Sequence, residues 1–139
     1  MNIFNRVLTS QNLHTMETLA LAHVGDAVYD LAVRGYLAEK PVLTARALHR
    51  ETVRRVSAHA QAARTEALLP LLTDEERGVY LRGRNAQVNT LPKAATREEY
   101  GMATGVETLV GWLFLSGAHA RLGELFEVLL HEPETYAAR

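Results

Sequence analysis

Apolar residues recur every three or four positions along most of the chain, and no segment shows the two-residue alternation typical of a β-strand. The spacing predicts a first helix over about 16–37, with an apolar stripe of four residues: Leu21, Val24, Val28 and Leu31. A second helix is predicted to begin near Thr44. It should end by Leu69, because the residue before a proline such as Pro70 disfavours helical backbone.

Two capping boxes predict where later helices begin. Thr73 is followed by Glu76, and Thr96 by Glu99, which lets each side chain bond the backbone N–H of the other residue. The first of these helices should reach Arg82, the second should run through 117, and a last helix should cover 122–129. The segment 86–95 is predicted to be a loop. Five helices with short connections predict an all-α helical bundle, one domain over 1–139 with its core at about 15–130.

Composition narrows the class of protein. The chain has 139 residues, of which 47% are hydrophobic and 22% charged, as in an ordinary globular domain. It has no cysteine, which excludes disulfides, thiolate catalysis and cysteine-based zinc sites. No apolar stretch is long enough to span a membrane, and the N-terminus lacks a signal-peptide pattern. We therefore expect a cytoplasmic protein without a membrane partner.

The charge is unevenly distributed. The formal net charge is −1, which argues against binding nucleic acid through bulk charge. The segment from 46 to 97, however, contains ten Lys and Arg residues and only five Asp and Glu residues. Arg46, Arg50 and Arg54 recur every four positions and predict a cationic row on one helix face. The alternative interpretation of this row is an ordinary solvated face.

Asp26 is the first candidate for chemistry. It lies on the other side of the predicted helix from the apolar stripe, and it follows Gly25. A glycine in mid-helix costs roughly 1 kcal/mol relative to alanine, so close approach of another backbone or of a substrate would explain it. The alternative is a surface aspartate beside a packing glycine. His23, one turn before Asp26, is interpreted as a surface histidine that can at most tune the site.

Glu107 is the second candidate. It is the only Asp, Glu, Lys or Arg between Glu99 and Arg121, in a segment that is otherwise apolar. Carboxylates are seldom buried without a partner, so Glu107 is either half of a buried ion pair or a metal ligand or general base. Two helices that each offer one inward carboxylate can hold a hard cation such as Mg²⁺.

Both segments resemble the ribonuclease III family. Residues 22–30 (AHVGDAVYD) resemble the signature helix of its catalytic domain, and 103–115 (ATGVETLVGWLFL) resemble its second acidic helix. Three further segments resemble the compact Mini-ribonuclease III branch: 56–62 (VSAHAQA), 82–86 (RGRNA) and 100–107 (YGMATGVE). The similarity covers about 15–130. Two carboxylates of the larger enzymes are replaced here by Ala22 and Thr104, which puts a full two-metal site in doubt.

The resemblance implies a Mg²⁺-dependent endoribonuclease that cleaves double-stranded RNA as a homodimer and leaves 5′-phosphate ends. Asp26 and Glu107 would be the catalytic residues and the metal ligands, with Mn²⁺ as a substitute cation. The implied substrate is a ribosomal RNA precursor, at the ends of the large-subunit (23S) RNA. A ribosomal protein is a possible helper.

RNA contacts are predicted at two places. Arg82, Arg84, Asn85 and Lys93 flank the predicted loop before the second acidic helix, where they would reach a minor groove or its phosphates. The row of Arg46, Arg50 and Arg54 is the second place. The alternative for the first set is an ordinary polar loop.

Two other classes of protein stay open at this point. The chain could be a ribonuclease III fold without catalysis that clamps RNA, as the residues at Ala22 and Thr104 would allow. It could instead be a dimeric helical scaffold that binds protein, with Glu107 in a structural ion pair. Binding and cleavage of duplex RNA separate the three classes.

Overall fold

The computed structural model describes residues 4, 7–40, 44–86 and 96–131, which form α-helices and no strand. The helices are α1 (Ser10–Thr15), α2 (Thr18–Ala38), α3 (Ala45–Val56), α4 (Ala58–Leu68), α5 (Asp74–Arg84), α6 (Arg97–Leu115) and α7 (His119–Leu130), with a 3₁₀ turn at Leu69–Leu71 after α4. The prediction of an all-α fold is confirmed.

Helix α6 lies at the centre, and α2, α4, α5 and α7 pack around it. Its segment from 103 to 113 is buried almost throughout, because apart from Glu107 it carries no charged side chain. The core joins α6 to aliphatic and aromatic residues of the surrounding helices. No helix in the described part of the chain has the length and apolar character needed to cross a membrane.

Helix α2 turns a different face to the core than its aliphatic residues predict. The buried face follows a four-residue spacing: Leu21, Gly25, Tyr29, Val33 and Leu37. Leu31, which the predicted stripe places in the core, is 62% exposed. The prediction was wrong because it gave Gly25 no weight, although a glycine allows the closest contact between two helices. Asp26 therefore lies beside the core face and not opposite it.

The predicted second helix is two helices. The chain breaks at Ser57, whose backbone is extended (φ −62°, ψ 152°). Ser57 ends α3 and also caps α4, since its hydroxyl accepts a hydrogen bond from the Ala60 N–H. Gln61 donates to the Val56 carbonyl across the break at 3.0 Å. The prediction failed here because neither proline nor glycine marks the site.

Helix ends were predicted better than short helices. Both capping boxes form, at Thr73–Glu76 and Thr96–Glu99. Helix α6 ends at Leu115, before its predicted end, because Gly117 adopts φ +78° and the Ala118 N–H bonds the Leu113 carbonyl. The sequence prediction missed α1, whose six residues are too few to show periodicity.

Candidate active site

The backbones of α2 and α6 touch where they cross. A Cβ built on Gly25 would lie 1.7 Å from the carbonyl oxygen of Glu107, and one on Gly111 would lie 2.1 Å from the carbonyl oxygen of Leu21. No side chain fits in either space. The reason for a glycine before Asp26 is therefore the approach of another backbone, one of the two reasons that the sequence suggests.

This crossing brings Asp26 and Glu107 together. Their carboxyl groups are in hydrogen-bond contact, with Glu107 half-buried and Asp26 exposed to solvent. Three effects together raise the pKa of Glu107 from its ordinary 4.5 to about 8: burial, which is the largest, then the charge of Asp26 and the hydrogen bond to it. No cation among the described residues counters this effect, so the partner of Glu107 is a second carboxylate and not an arginine.

Two converging carboxylates without a counter-charge suit a divalent, oxygen-binding cation. Such a cation would relieve the repulsion between the two groups and take the place of the proton that the raised pKa of Glu107 favours. Within the ranges that the structure describes, no group of three or more His, Cys, Asp or Glu residues is placed to hold a metal ion. Water and the substrate phosphate would have to supply the other ligands of Mg²⁺.

The two positions that differ from the larger enzymes are inside the protein. Ala22 is 8% exposed and Thr104 is 6% exposed. The hydroxyl of Thr104 donates to the carbonyl of Tyr100 at 2.9 Å within α6. Both side chains are therefore part of the helix packing, and neither supplies an oxygen that is free to bind a cation.

A second close contact packs α6 against α5. A Cβ on Gly83 would lie 2.3 Å from the hydroxyl oxygen of Thr108, and one on Gly105 would lie 2.6 Å from the ring of Tyr80. Glu107 thus lies between two glycine-lined contacts of one helix. Sequence reasoning missed the role of Gly83, Gly105 and Gly111, although a glycine inside a predicted helix was the available signal.

Tyr29 is a buried neighbour of the carboxylate pair that sequence reasoning also missed. It follows Asp26 by one helical turn and packs edge-on against Phe126, with 5.3 Å between ring centroids. Burial raises the pKa of the Tyr29 hydroxyl, the charge of Arg64 lowers it, and the charge of Glu107 raises it. Arg64 is fixed by bonds to the Val128 and Leu129 carbonyls at 2.9 and 3.3 Å.

The residues predicted to flank an RNA-binding loop have different surroundings. Arg84 and Asn85 are exposed at the end of α5, where Asn85 is the C-cap. Arg82 is partly buried, and its guanidinium donates to the Thr18 hydroxyl and the Met16 carbonyl. Lys93 and most of the predicted loop lie outside the described residues. The role of these residues in RNA binding stays a prediction.

The predicted arginine row lies on α3. Arg46 and Arg50 are exposed, and the exposed Arg54 donates to the Glu51 carboxylate at 2.9 Å. Two arginines on the same side of the helix share that carboxylate, since Arg55 bonds it as well. The row therefore forms as predicted, with part of its charge balanced locally by Glu51.

Comparisons with known proteins agree with this fold. A family model described as the Ribonuclease III domain matches residues 19–118. A crystal structure of a protein from Fusobacterium nucleatum superposes with a TM-score of 0.78 at 23% identity, covering 86% of this chain and 95% of that one. At that identity the likeness shows the fold alone. The family model and the fold together define the class as the ribonuclease III domain.

Two relatives narrow the class. The chain is 44% identical to the Mini-ribonuclease 3 of Symbiobacterium thermophilum over 113 residues, which is 81% of this chain and 87% of that protein. It is 45% identical to the Mini-ribonuclease 3 of Enterococcus faecalis over 109 residues, 77% of this chain and 83% of that protein. The chain belongs to the Mini-ribonuclease III family, and it is an endoribonuclease.

Proposed function

We propose that this endoribonuclease hydrolyses double-stranded RNA with a Mg²⁺ ion held by Asp26 and Glu107. The observation that carries the proposal is the contact between two carboxylates, one of them half-buried, with no cation among the described residues to balance them. Mg²⁺ would supply the positive charge that stabilises the phosphoryl and leaving oxygens. Mn²⁺, which also binds oxygen ligands, is expected to substitute.

The two carboxylates would act in their ionised form. Asp26, on the exposed side, and Glu107, on the buried side, would hold the cation and orient the attacking water. The water oxygen attacks phosphorus in line, the bond from phosphorus to the 3′ oxygen breaks, and the products carry a 5′-phosphate and a 3′-hydroxyl. Because the chain offers two carboxylates, we expect weak metal binding without RNA. A sub-micromolar Mg²⁺ affinity measured by calorimetry on the free protein would contradict this.

The RNA surface that we propose combines two exposed groups of residues. Arg84 and Asn85, with Lys93 further along, would reach the minor groove or its phosphates, and Arg46, Arg50 and Arg54 would contact the backbone. Replacing Arg84 by Ala should weaken duplex binding and reduce the salt slope by about one contact. An unchanged affinity would remove this end of α5 from the RNA surface.

We also propose a homodimer, in which each site cuts one strand of a duplex. Leu19 and Leu31 are 37% and 62% exposed on α2, whereas Leu21 and Val33 are in the core and give no support. Leu31→Asp should shift the sedimentation of the protein toward the monomer. Leu71→Asp, a control at an exposed leucine outside α2, should not. A wild-type monomer at micromolar concentration would end this proposal.

The natural substrate is proposed from the family resemblance alone. It is a ribosomal RNA precursor, cleaved in the cytoplasm at the ends of the large-subunit RNA, with a ribosomal protein as a possible helper. Incubation of such a precursor with the enzyme, followed by mapping of the new 5′ ends, tests this. Cleavage at scattered duplex positions only would argue against the assignment.

The experiment for the reaction is cleavage of a long duplex RNA in Mg²⁺ by wild type, Asp26→Asn and Glu107→Gln. We expect the wild type to cut and both variants to bind RNA without cutting, with circular dichroism as the control for folding. Activity in either variant comparable to wild type would exclude its carboxylate from catalysis. Binding without cleavage by the wild type, in Mg²⁺ and in Mn²⁺, would favour an RNA clamp.

A further inference from the structure

Arg82 is hydrogen-bonded to the junction between α1 and α2. It lies in the last turn of α5, and its Nε donates to the Thr18 hydroxyl at 2.8 Å. The same guanidinium donates to the carbonyl of Met16. Met16 ends α1 and Thr18 begins α2, so Arg82 joins α5 to the junction from which α2 starts.

General helix stabilisation does not explain these contacts. The N-terminus of a helix carries partial positive charge, so a cation there is unfavourable unless specific acceptors hold it. The N-cap residue of α2, Glu17, makes no side-chain capping bond. Among the described side chains, Arg82 is the one that bonds the hydroxyl of the first residue of α2.

The next residue in the chain reaches the other helix of the site. Gly83 is packed so closely on α6 that a Cβ would lie 2.3 Å from the Thr108 hydroxyl and 2.9 Å from the Gly105 Cα. Thr108 directly follows Glu107. Two consecutive residues of α5 therefore contact both carboxylate helices, at the beginning of α2 and beside Glu107 on α6.

The crossing of α2 and α6 sets how closely the two helices approach, because no side chain fits at Gly25 or Gly111. Core side chains of α2, among them Tyr29 and Val33, pack on α6 further along the same contact. A shift of α2 along its axis would separate the carboxyl groups of Asp26 and Glu107. The bonds that Arg82 makes at the start of α2 add a polar contact that opposes such a shift.

We propose that Arg82 is a positioning residue, which ties the start of α2 to α5 and so helps the α2–α6 contact to hold the Asp26 and Glu107 carboxylates at their distance. The proposal rests on the proposed metal site. It gives Arg82 a role inside the protein in place of the predicted contact with RNA. The hydrogen bonds to Thr18 and Met16 turn the guanidinium of Arg82 toward the interior and use two of its five N–H donors.

The test compares Arg82→Ala, Arg82→Lys and Thr18→Val with the wild type. Arg77→Ala is the matched control, because Arg77 also lies on α5 and donates to a backbone carbonyl, that of Leu69, away from α2. Two quantities are measured on each protein: the Mg²⁺ concentration for half-maximal cleavage, and the rise in melting temperature on adding Mg²⁺. Duplex-RNA affinity is measured separately at several salt concentrations without metal.

We expect Arg82→Ala to need about tenfold more Mg²⁺, the range found when a residue that orients metal ligands is lost. Thr18→Val should show a smaller shift in the same direction, and Arg82→Lys should recover part of the loss. Arg77→Ala should need as much Mg²⁺ as the wild type. The RNA affinity without metal should stay within about twofold for all four variants, since none of them is proposed to contact the phosphates.

Three results would overturn the proposal. Weaker RNA binding and a smaller salt slope in Arg82→Ala, with an unchanged Mg²⁺ requirement, would make Arg82 an RNA contact. Lower melting temperatures with an unchanged Mg²⁺ requirement would make its role purely structural. If Arg82→Ala does not fold, the same measurements on Thr18→Val and Arg82→Lys separate an RNA contact from a purely structural role. If Mg²⁺ raises the melting temperature of the wild type and of Asp26→Asn equally, the proposed metal site is wrong, and this proposal is wrong with it.

Discussion

Asp26 and Glu107 lie where two helix backbones touch, whereas Arg46 and Arg50 lie on a helix whose outer side faces solvent. The carboxylate pair depends on spaces that admit no side chain, on both sides of α6. Helix α3 is attached more lightly, with Thr52 as its one buried residue. The contrast shows that the proposed catalytic groups are positioned by the backbone and the proposed RNA-binding groups by long, exposed side chains. Substitutions should therefore affect folding in the first region and binding in the second.

The largest effect is expected for Gly25→Ala. The added methyl group meets the Glu107 carbonyl at 1.7 Å, so α2 and α6 must separate. We expect a loss of more than about 3 kcal/mol in the free energy of unfolding, above the usual cost of overpacking because the obstacle is backbone. Urea denaturation measures it. Gly35→Ala is the control, since its Cβ meets nothing within 4 Å and should stabilise α2 by up to about 1 kcal/mol. Equal effects of the two substitutions would contradict the close contact.

The next effect is a pH dependence of stability in the absence of metal. The folded protein raises the pKa of Glu107 to about 8, so it favours the protonated form. The resulting stabilisation is complete below the ordinary value of 4.5 and is lost as the pH rises through about 8. Glu107→Gln, which cannot ionise, should lack this loss. Relative to the wild type, the variant should be more stable at about pH 9 than at about pH 5, measured in EDTA.

Added Mg²⁺ should change the stability of the wild type and of Glu107→Gln differently. Metal binding should restore wild-type stability at the alkaline pH and leave Glu107→Gln nearly unaffected, because the cation takes the place of the proton on Glu107. A stability difference between the two proteins that does not change with pH would show that Glu107 ionises normally in the folded state.

The double substitution Arg46→Ala, Arg50→Ala tests the other region. We expect duplex-RNA affinity to fall, with a salt slope smaller by about two phosphate contacts. The free energy of unfolding should change by less than about 0.5 kcal/mol per site, as at other exposed positions. Titration of labelled duplex at several salt concentrations and thermal denaturation give the two quantities. A marked loss of stability with unchanged RNA binding would reverse the assignment of this helix.

The smallest effect is expected for Val53→Ser on the same helix. Val53 is 52% exposed, so removing its apolar surface should change the free energy of unfolding by less than about 0.5 kcal/mol. Thermal denaturation at two protein concentrations checks this. A larger change that depends on concentration would show that α3 contributes to a contact between copies of the chain.

The sequence predicted features that are encoded locally. The Thr73–Glu76 and Thr96–Glu99 boxes, and the central apolar helix around Glu107, follow from residues a few positions apart. It failed at Ser57, where a single hydroxyl ends one helix and begins the next.

The sequence did not predict features that depend on residues far apart in the chain. The side of α2 that faces the core is set by Gly25 meeting α6, and the bond from Arg82 to Thr18 joins residues 64 positions apart. Asp26 and Glu107 could be named as candidates from their unusual settings. Their contact required the fold, because hydrophobic periodicity gives no weight to the glycines that bring their helices together.

The burial of Ala22 and Thr104 limits which substitutions these two positions can accept. Each position would have to accept a carboxylate in a space that now holds a methyl group or a small hydroxyl side chain. A single substitution there would bury a charge before any second cation was present to balance it. A carboxylate introduced alone at either position is therefore unfavourable, so the packing around Ala22 and Thr104 opposes any enlargement of the proposed two-carboxylate site one residue at a time.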